Sequence, residues 1–244
     1  LIRAQQRGIE CRLMLDAVGS QPFFRSQLPE KLSSNGVTIV KACPIGFLPW
    51  RLARYDLRNH RKSIIIDGKI AYTGSFNMID PASFKQDQGV GQWIDVMARL
   101  DGPAVRVIDA VFLWYWNIES NQNLRLPPQD LYPQTVGSVI QVIPTGPDNE
   151  KESILNSLLQ AVFSAKESIR IVTPYFVPDA SLVQALVIAA RRQVNVDIIV
   201  PEQVDSFLVR YASHSYFQEL LEAGVKIHLY HAGLLHTKCV ILDS

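Results

Sequence analysis

No charge of either sign dominates this sequence: 24 Lys and Arg stand against 23 Asp and Glu, leaving a formal net charge of +1 at pH 7. A broad polycationic surface of the kind that binds nucleic acid is therefore not expected, which weighs against a nuclease. Cysteine is scarce. Cys11, Cys43 and Cys239 are odd in number and match no metal or redox spacing, so they read as packing residues in reducing surroundings. No run approaches the roughly eighteen consecutive apolar residues that a membrane-crossing helix needs. The first residues carry neither Met nor a basic-then-apolar signal pattern, so the chain is expected to be a fragment. With 48% hydrophobic residues among 244, it still has enough apolar content for a substantial core, as one large domain or two intimate halves.

What is present is concentrated in residues 60–77, which read His60-Arg61-Lys62-Ser63-Ile64-Ile65-Ile66-Asp67-Gly68-Lys69-Ile70-Ala71-Tyr72-Thr73-Gly74-Ser75-Phe76-Asn77. Two β-rich runs, 63–66 and 69–73, flank Asp67-Gly68, a dipeptide suited to a two-residue type I′ turn because both central residues need positive φ. In that register Ile66 faces Lys69, Lys62 faces Thr73 and His60 faces Ser75. Side-chain alternation then puts His60, Lys62, Ser75 and, if the strand continues, Asn77 on one face. An imidazole, an ammonium, a hydroxyl and an amide without a carboxylate make a surface for an anion, with the imidazole able to attack or to move a proton.

A lone His-x-Lys is ordinarily a solvated strand face. Here it recurs: His236-Thr237-Lys238-Cys239-Val240-Ile241-Leu242-Asp243 repeats the His-x-Lys, the apolar run and the Asp at the same spacing. A wider repeat surrounds the two copies. Residues 7–15 parallel 192–200, and 28–37, ending Asn35-Gly36-Val37, parallel 219–225, ending Ala223-Gly224-Val225.

Periodicity and capping signals predict helices over 1–7, 23–34, 103–119, 150–165, 180–192 and 206–223, the last capped by Asp205, with one further helical turn at 81–84. Strands are expected over 9–15, 37–42, 93–100, 139–143, 168–173, 196–200 and 225–230, besides the hairpin. Alternating helices and strands imply an α/β architecture with mixed sheets flanked by helices. The expected division is 1–120, a Pro-rich linker at 121–138, and 139–244. An insertion over 43–59 carries Trp50, Arg51, Arg54, Tyr55 and Arg58, which suit either lipid headgroups or an ordinary charged surface loop.

The paired motifs resemble those of the phospholipase D superfamily: His-x-Lys, four residues, Asp, then six residues and Gly-Ser-x-Asn. The first copy matches throughout; the second stops at Ser244, before any Gly-Ser-x-Asn. Flanking text is similar to the bacterial cardiolipin synthase branch: Asp16-Ala17-Val18-Gly19-Ser20, Gly91-Gln92-Trp93-Ile94-Asp95, Thr173-Pro174-Tyr175-Phe176-Val177-Pro178 and Gly233-Leu234-Leu235-His236.

The resemblance implies two phospholipase D-like α/β repeats related by a pseudo-twofold, the second truncated, with both His-x-Lys faces around one pocket. It implies transfer of a phosphatidyl group between two phosphatidylglycerol molecules through a phosphohistidine, with neither metal nor other cofactor. The catalytic set would be His60, Lys62, Asp67, His236, Lys238 and Asp243, although the register sets Asp67 and Asp243 at or beside turns, a structural place. His60 is assigned as nucleophile and His236 as general acid, with the swapped assignment open. Ser75 and Asn77 would hold the phosphate, and Asp95 would orient the attacking ring. The whole protein would work at the bacterial inner membrane on a phospholipid, without nucleic acid as a partner, and this fragment would be weakly active or inactive. A phospholipase D-type hydrolase, a nuclease of the same superfamily and a non-catalytic phosphate- or lipid-binding module are the alternatives. A metal cluster of His228, His231 and His236 is disfavoured, because no Cys or carboxylate completes a tetrahedral spacing.

Overall fold

The computed structural model describes residues 1–44, 58–80, 91–128, 137–146, 152–204 and 207–243. The insertion residues Trp50, Arg51, Arg54 and Tyr55, the turn expected at 81–84 and the Asp205 cap lie outside them. The fold is mixed α/β and divides into two compact units. The first comprises Leu1–Ala71 and Leu100–Val142, the second Tyr72–Arg99 and Ile143–Ser244. Residues 72–99 thus group with the later part of the chain.

In the first unit, α1 (Ile2–Gln5) leads to β1 (Arg12–Asp16), and α2 (Gln21–Arg25) and α3 (Leu28–Ser33) lead to β2 (Thr38–Ala42). β1 and β2 pair in parallel from Arg12↔Thr38 to Asp16↔Ala42. The single helix expected over 23–34 is in fact two. Pro29, in the first turn of α3, has no N–H to return to the preceding turn, and the Ser26 hydroxyl instead accepts from Leu28 N at 3.1 Å and donates to Phe23 O at 2.7 Å.

β3 (Ser63–Ile66) turns into β4 (Ile70–Gly74) as the sequence requires: Asp67 and Gly68 have φ of 53° and 61°, and Lys69 N donates to Ile66 O at 3.0 Å. β4 and β6 (Met97–Asp101) each run from one unit into the other. The strand expected over 93–100 is interrupted at Asp95-Val96, leaving β5 (Trp93–Ile94) as a separate two-residue strand. α4 (Pro103–Ser120) opens with Pro103 in its first turn and buries Val105, Ile108, Leu113 and Trp116, one face at helical spacing. Its Val105 and Ile108 pack on Ala71, with Ile65, Leu100 and Val142 around them. No strand forms over 139–143: among the described residues they pair with no strand, and Val139 is fully exposed.

In the second unit, α5 (Ser153–Ser164), β7 (Ser168–Val172), α6 (Ala180–Arg191), β8 (Asn195–Pro201), α7 (Phe207–Ser215), α8 (Phe217–Glu222) and β9 (Lys226–Tyr230) follow in turn. The helix expected over 206–223 is again two, parted at Tyr216. β7, β8 and β9 are parallel, and β11 (Cys239–Leu242) closes the β7 edge antiparallel, from Cys239↔Val172 to Leu242↔Ile169. Ile169 and Ile171, then Val196, Ile198 and Val200, alternate into the core against Ala185, Leu186 and Ala189 of α6 and Leu220 of α8. Helices at parallel places in the sequence end alike. Ile9 N to Ala4 O and Val194 N to Ala189 O close α1 and α6, while Val37 N to Leu32 O and Val225 N to Leu220 O close α3 and α8, all at 3.0–3.2 Å.

Ile198 is wholly buried in this core, so Ile198→Ala is expected to cost about 2–5 kcal/mol of unfolding free energy, read from the denaturant midpoint. Asp243, one residue past β11, accepts from the amides of Glu167, Ser168 and Lys166, which hold its carboxyl below the usual carboxylate range. A depressed folded-state pKa contributes stability above the unfolded value and loses it as pH falls through the folded one. Asp243→Ala should therefore lower Tm at neutral pH, with the gap to the unaltered protein closing in acid.

Candidate active site

The second His-x-Lys copy sits where two short strands meet. β10 (Leu234–Leu235) runs parallel to β5, pairing Leu234↔Trp93 and Leu235↔Ile94. Leu234 N donates to Gln92 O at 3.1 Å, His236 N to Ile94 O at 2.9 Å and the Thr237 hydroxyl to the same Ile94 O at 3.2 Å. The approach is so close that a Cβ built on Gly233, whose φ is 152°, would meet Gln92 O at 2.3 Å. Only glycine fits there.

This backbone arrangement delivers Asp95 to His236. The carboxylate accepts from Nδ1 at 2.7 Å, and the two side chains are only 7% and 9% exposed. A carboxylate partner favours the proton on Nδ1 of the neutral ring, which makes Nε2 the nitrogen suited to move a proton or form a bond. Trp93 covers a face of the imidazole, its ring centroid 4.6 Å away and inclined at 40°. Lys238 folds back and donates from Nζ to His236 O at 2.7 Å.

Ser75 lies near this dyad in the chain but has a different hold. Its N–H donates to Val96 O at 2.9 Å, and its buried hydroxyl accepts from Val96 N at 3.1 Å. A Cβ on Gly74 would stand 2.1 Å from Val96 O. The Gly-Ser of the motif therefore fastens the residue that follows Asp95. Asn77 is half-buried, and its carbonyl accepts from Ile79 N at 2.8 Å.

The first copy, in the other unit, has the same local form. His60 stands three residues before β3 as His236 stands three before β11, and Lys62 Nζ donates to His60 O at 2.7 Å. Asp67 and Asp243 each follow their strand with φ of 53° and 49°. His60 is exposed. The residue before it is anchored by Asp16 at the end of β1, whose carboxylate accepts from Asn59 N at 3.0 Å and from Val18 and Gly19 N at 3.0 and 2.8 Å. Arg58 lies 3.7 Å from the same carboxylate and donates to Cys43 O at 3.0 Å. Arg61 stacks over the Tyr115 ring at 4.2 Å.

Asp95, expected behind the attacking ring, sits on His236, which is that ring only in the swapped assignment. The reason is the break at Asp95-Val96, which ends the strand and lets the side chain turn toward β10. Asp16, Arg58 and Trp93 were not foreseen as supports. An Asp at the end of a predicted strand was the available signal for Asp16. The three histidines considered for metal each have a carboxylate of their own: His228 on Asp197 at 2.7 Å, His231 on Glu202 at 2.8 Å and His236 on Asp95.

Gly233→Ala tests the close approach directly. Displacing the Gln92 carbonyl should free the Leu234 amide from a bond worth about 1 kcal/mol, so its hydrogen exchange should quicken roughly fivefold while amides of β8 stay protected.

A family model described as "Cardiolipin synthase, PLD-like domain" matches residues 1–116 and 158–244. Cardiolipin synthase A of Serratia proteamaculans (strain 568) is 49% identical over 248 residues, covering 100% of this chain and 51% of that protein. Cardiolipin synthase A of Yersinia pseudotuberculosis serotype O:1b (strain IP 31758) is 47% identical over the same extent. The chain thus spans about half the length of the curated relatives it matches. The crystal structure of phosphatidylserine synthase from Haemophilus influenzae Rd KW20 superposes with a TM-score of 0.62 at 13% identity, covering 99% of this chain and 66% of that one, a likeness of fold. With the family model matching most of its residues, the chain belongs to the cardiolipin synthase family of phospholipase D-like domains.

Proposed function

We propose that the protein transfers a phosphatidyl group from one phosphatidylglycerol to the hydroxyl of another, giving cardiolipin and glycerol. The observation that carries this is the buried His236–Asp95 pair within a repeated His-x-Lys framework, in a chain 49% identical to a cardiolipin synthase A. Breaking a phosphodiester needs a nucleophile, a proton donor for the leaving alkoxide and positive charge on the phosphoryl oxygens.

A carboxylate on Nδ1 suits a ring that alternately gives and takes a proton at Nε2, so His236 is assigned as acid and base and His60 as nucleophile. In the first step the His60–phosphorus bond forms as the bond to glycerol oxygen breaks, and His236 passes its proton to that oxygen. In the second the acceptor hydroxyl gives its proton to His236 while its oxygen displaces His60 from phosphorus. Lys62 and Lys238 supply positive charge to the phosphoryl oxygens, and Asn77 an amide. Ser75 acts through its hold on Val96. The substrate class is a phospholipid, taken at the bacterial inner membrane surface; among the described residues no helix is long and apolar enough to cross a membrane.

The test uses the full natural chain in phosphatidylglycerol micelles, with samples quenched in acid-free denaturant and analysed for lipid products and phosphohistidine. Cardiolipin is expected from the unaltered protein, with His60→Ala and His236→Ala slowed by about 10²–10⁴-fold or more and the adduct retained only in His236→Ala. Phosphatidic acid without cardiolipin would make the protein a hydrolase. An adduct found only in His60→Ala would exchange the two roles.

A further inference from the structure

Transfer to an alcohol poses a problem that the motif does not solve, because water is the more abundant acceptor and His236 would deprotonate it as readily. The surroundings of His236 address this. Trp93 is 8% exposed and packs on the imidazole with its ring inclined at 40° and centroids 4.6 Å apart, while Asp95 takes the Nδ1 edge. Leu234, wholly buried, packs against Trp93, and Leu235 is buried beside it. β5 and β10 fix this apolar wall to the same backbone that fixes the catalytic ring, so indole and imidazole cannot drift apart independently.

We infer that Trp93 is a positioning residue that keeps water off His236 and thereby directs the second step to an alcohol. The inference rests on the transferase reading above. Its physical basis is what an emptied site would hold. A cavity walled only by Leu and Phe stays dry, but one that opens onto an imidazole and a carboxylate offers the two or more polar partners that retain a water. Such a water, beside the base, would give its proton to His236 and its oxygen to phosphorus as the His60–phosphorus bond breaks, yielding phosphatidic acid with the same proton and electron balance as transfer. The indole fills the volume in which that water would lodge. A phenyl ring fills most of it, and a methyl group almost none.

The experiment measures the ratio of phosphatidic acid to cardiolipin formed by the full natural chain from phosphatidylglycerol micelles, for the unaltered protein, Trp93→Phe, Trp93→Ala and Asp95→Asn. A ratio is indifferent to the fraction of each variant that folds. Trp93→Ala is expected to raise it about tenfold, a small change in relative barrier height. Trp93→Phe should stay near the original ratio, and Asp95→Asn should slow both products together. If Trp93→Ala loses both products in parallel with no change in ratio, Trp93 is merely structural and the inference fails, while the transferase reading stands. If the unaltered protein forms neither lipid, both fail together.

Discussion

The hydrogen bond between His236 Nδ1 and Asp95 is the interaction on which the rest of the site depends. Burying a carboxylate and an imidazole is costly unless each satisfies the other, and at 2.7 Å with both side chains under a tenth exposed the pair leaves little tolerance for error. Much of the nearby sequence is accounted for by that intolerance. Gly233 lets β10 come close enough to β5, Ile94 O gathers two donors from the His236–Thr237 step, and Gly74-Ser75 clamp Val96. Each of these acts on backbone. None touches the imidazole itself.

The two His-x-Lys copies show what is local to the motif and what is borrowed. In both, the lysine ammonium returns to the carbonyl of its own histidine at 2.7 Å, and in both the strand begins immediately after the lysine. That part needs only the motif and its strand. The support behind each histidine differs, since Asp16 braces the residue before His60 while Asp95 grips the ring of His236. A motif of this kind specifies a charge-bearing loop, and its neighbours decide which chemistry each ring is fitted for.

Much of this was legible in the chain itself. Asp67-Gly68 between β-branched runs forces the hairpin, and the spacing of the second copy follows by comparison with the first. The apolar runs of β7 and β8, set between amphipathic helices, announce strands of an α/β fold. What escaped was decided by tertiary contact or by single residues within a longer pattern. Pro29 lies inside an amphipathic stretch whose periodicity hides the break before it. The strand expected over 93–100 hides the break at Asp95-Val96, and no window of sequence reveals that β10 lies alongside β5 or that Asp95 turns to His236. The strand expected over 139–143 has the right composition, but among the described residues no strand lies beside it to complete its hydrogen bonds.

The separation of Asp95 from His236 along the chain, 141 residues, has a consequence for how the protein is born. At ribosomal speeds of roughly 5–20 residues per second, Trp93 and Asp95 leave the exit tunnel on the order of ten seconds before the strand that will cover them exists. Until then a large aromatic surface is uncovered and a carboxylate destined for the interior stays in water. The nascent chain must carry this exposed patch while the 141 intervening residues are made, so this centre closes long after β1 and β2 can pair and depends on protection from aggregation while it waits.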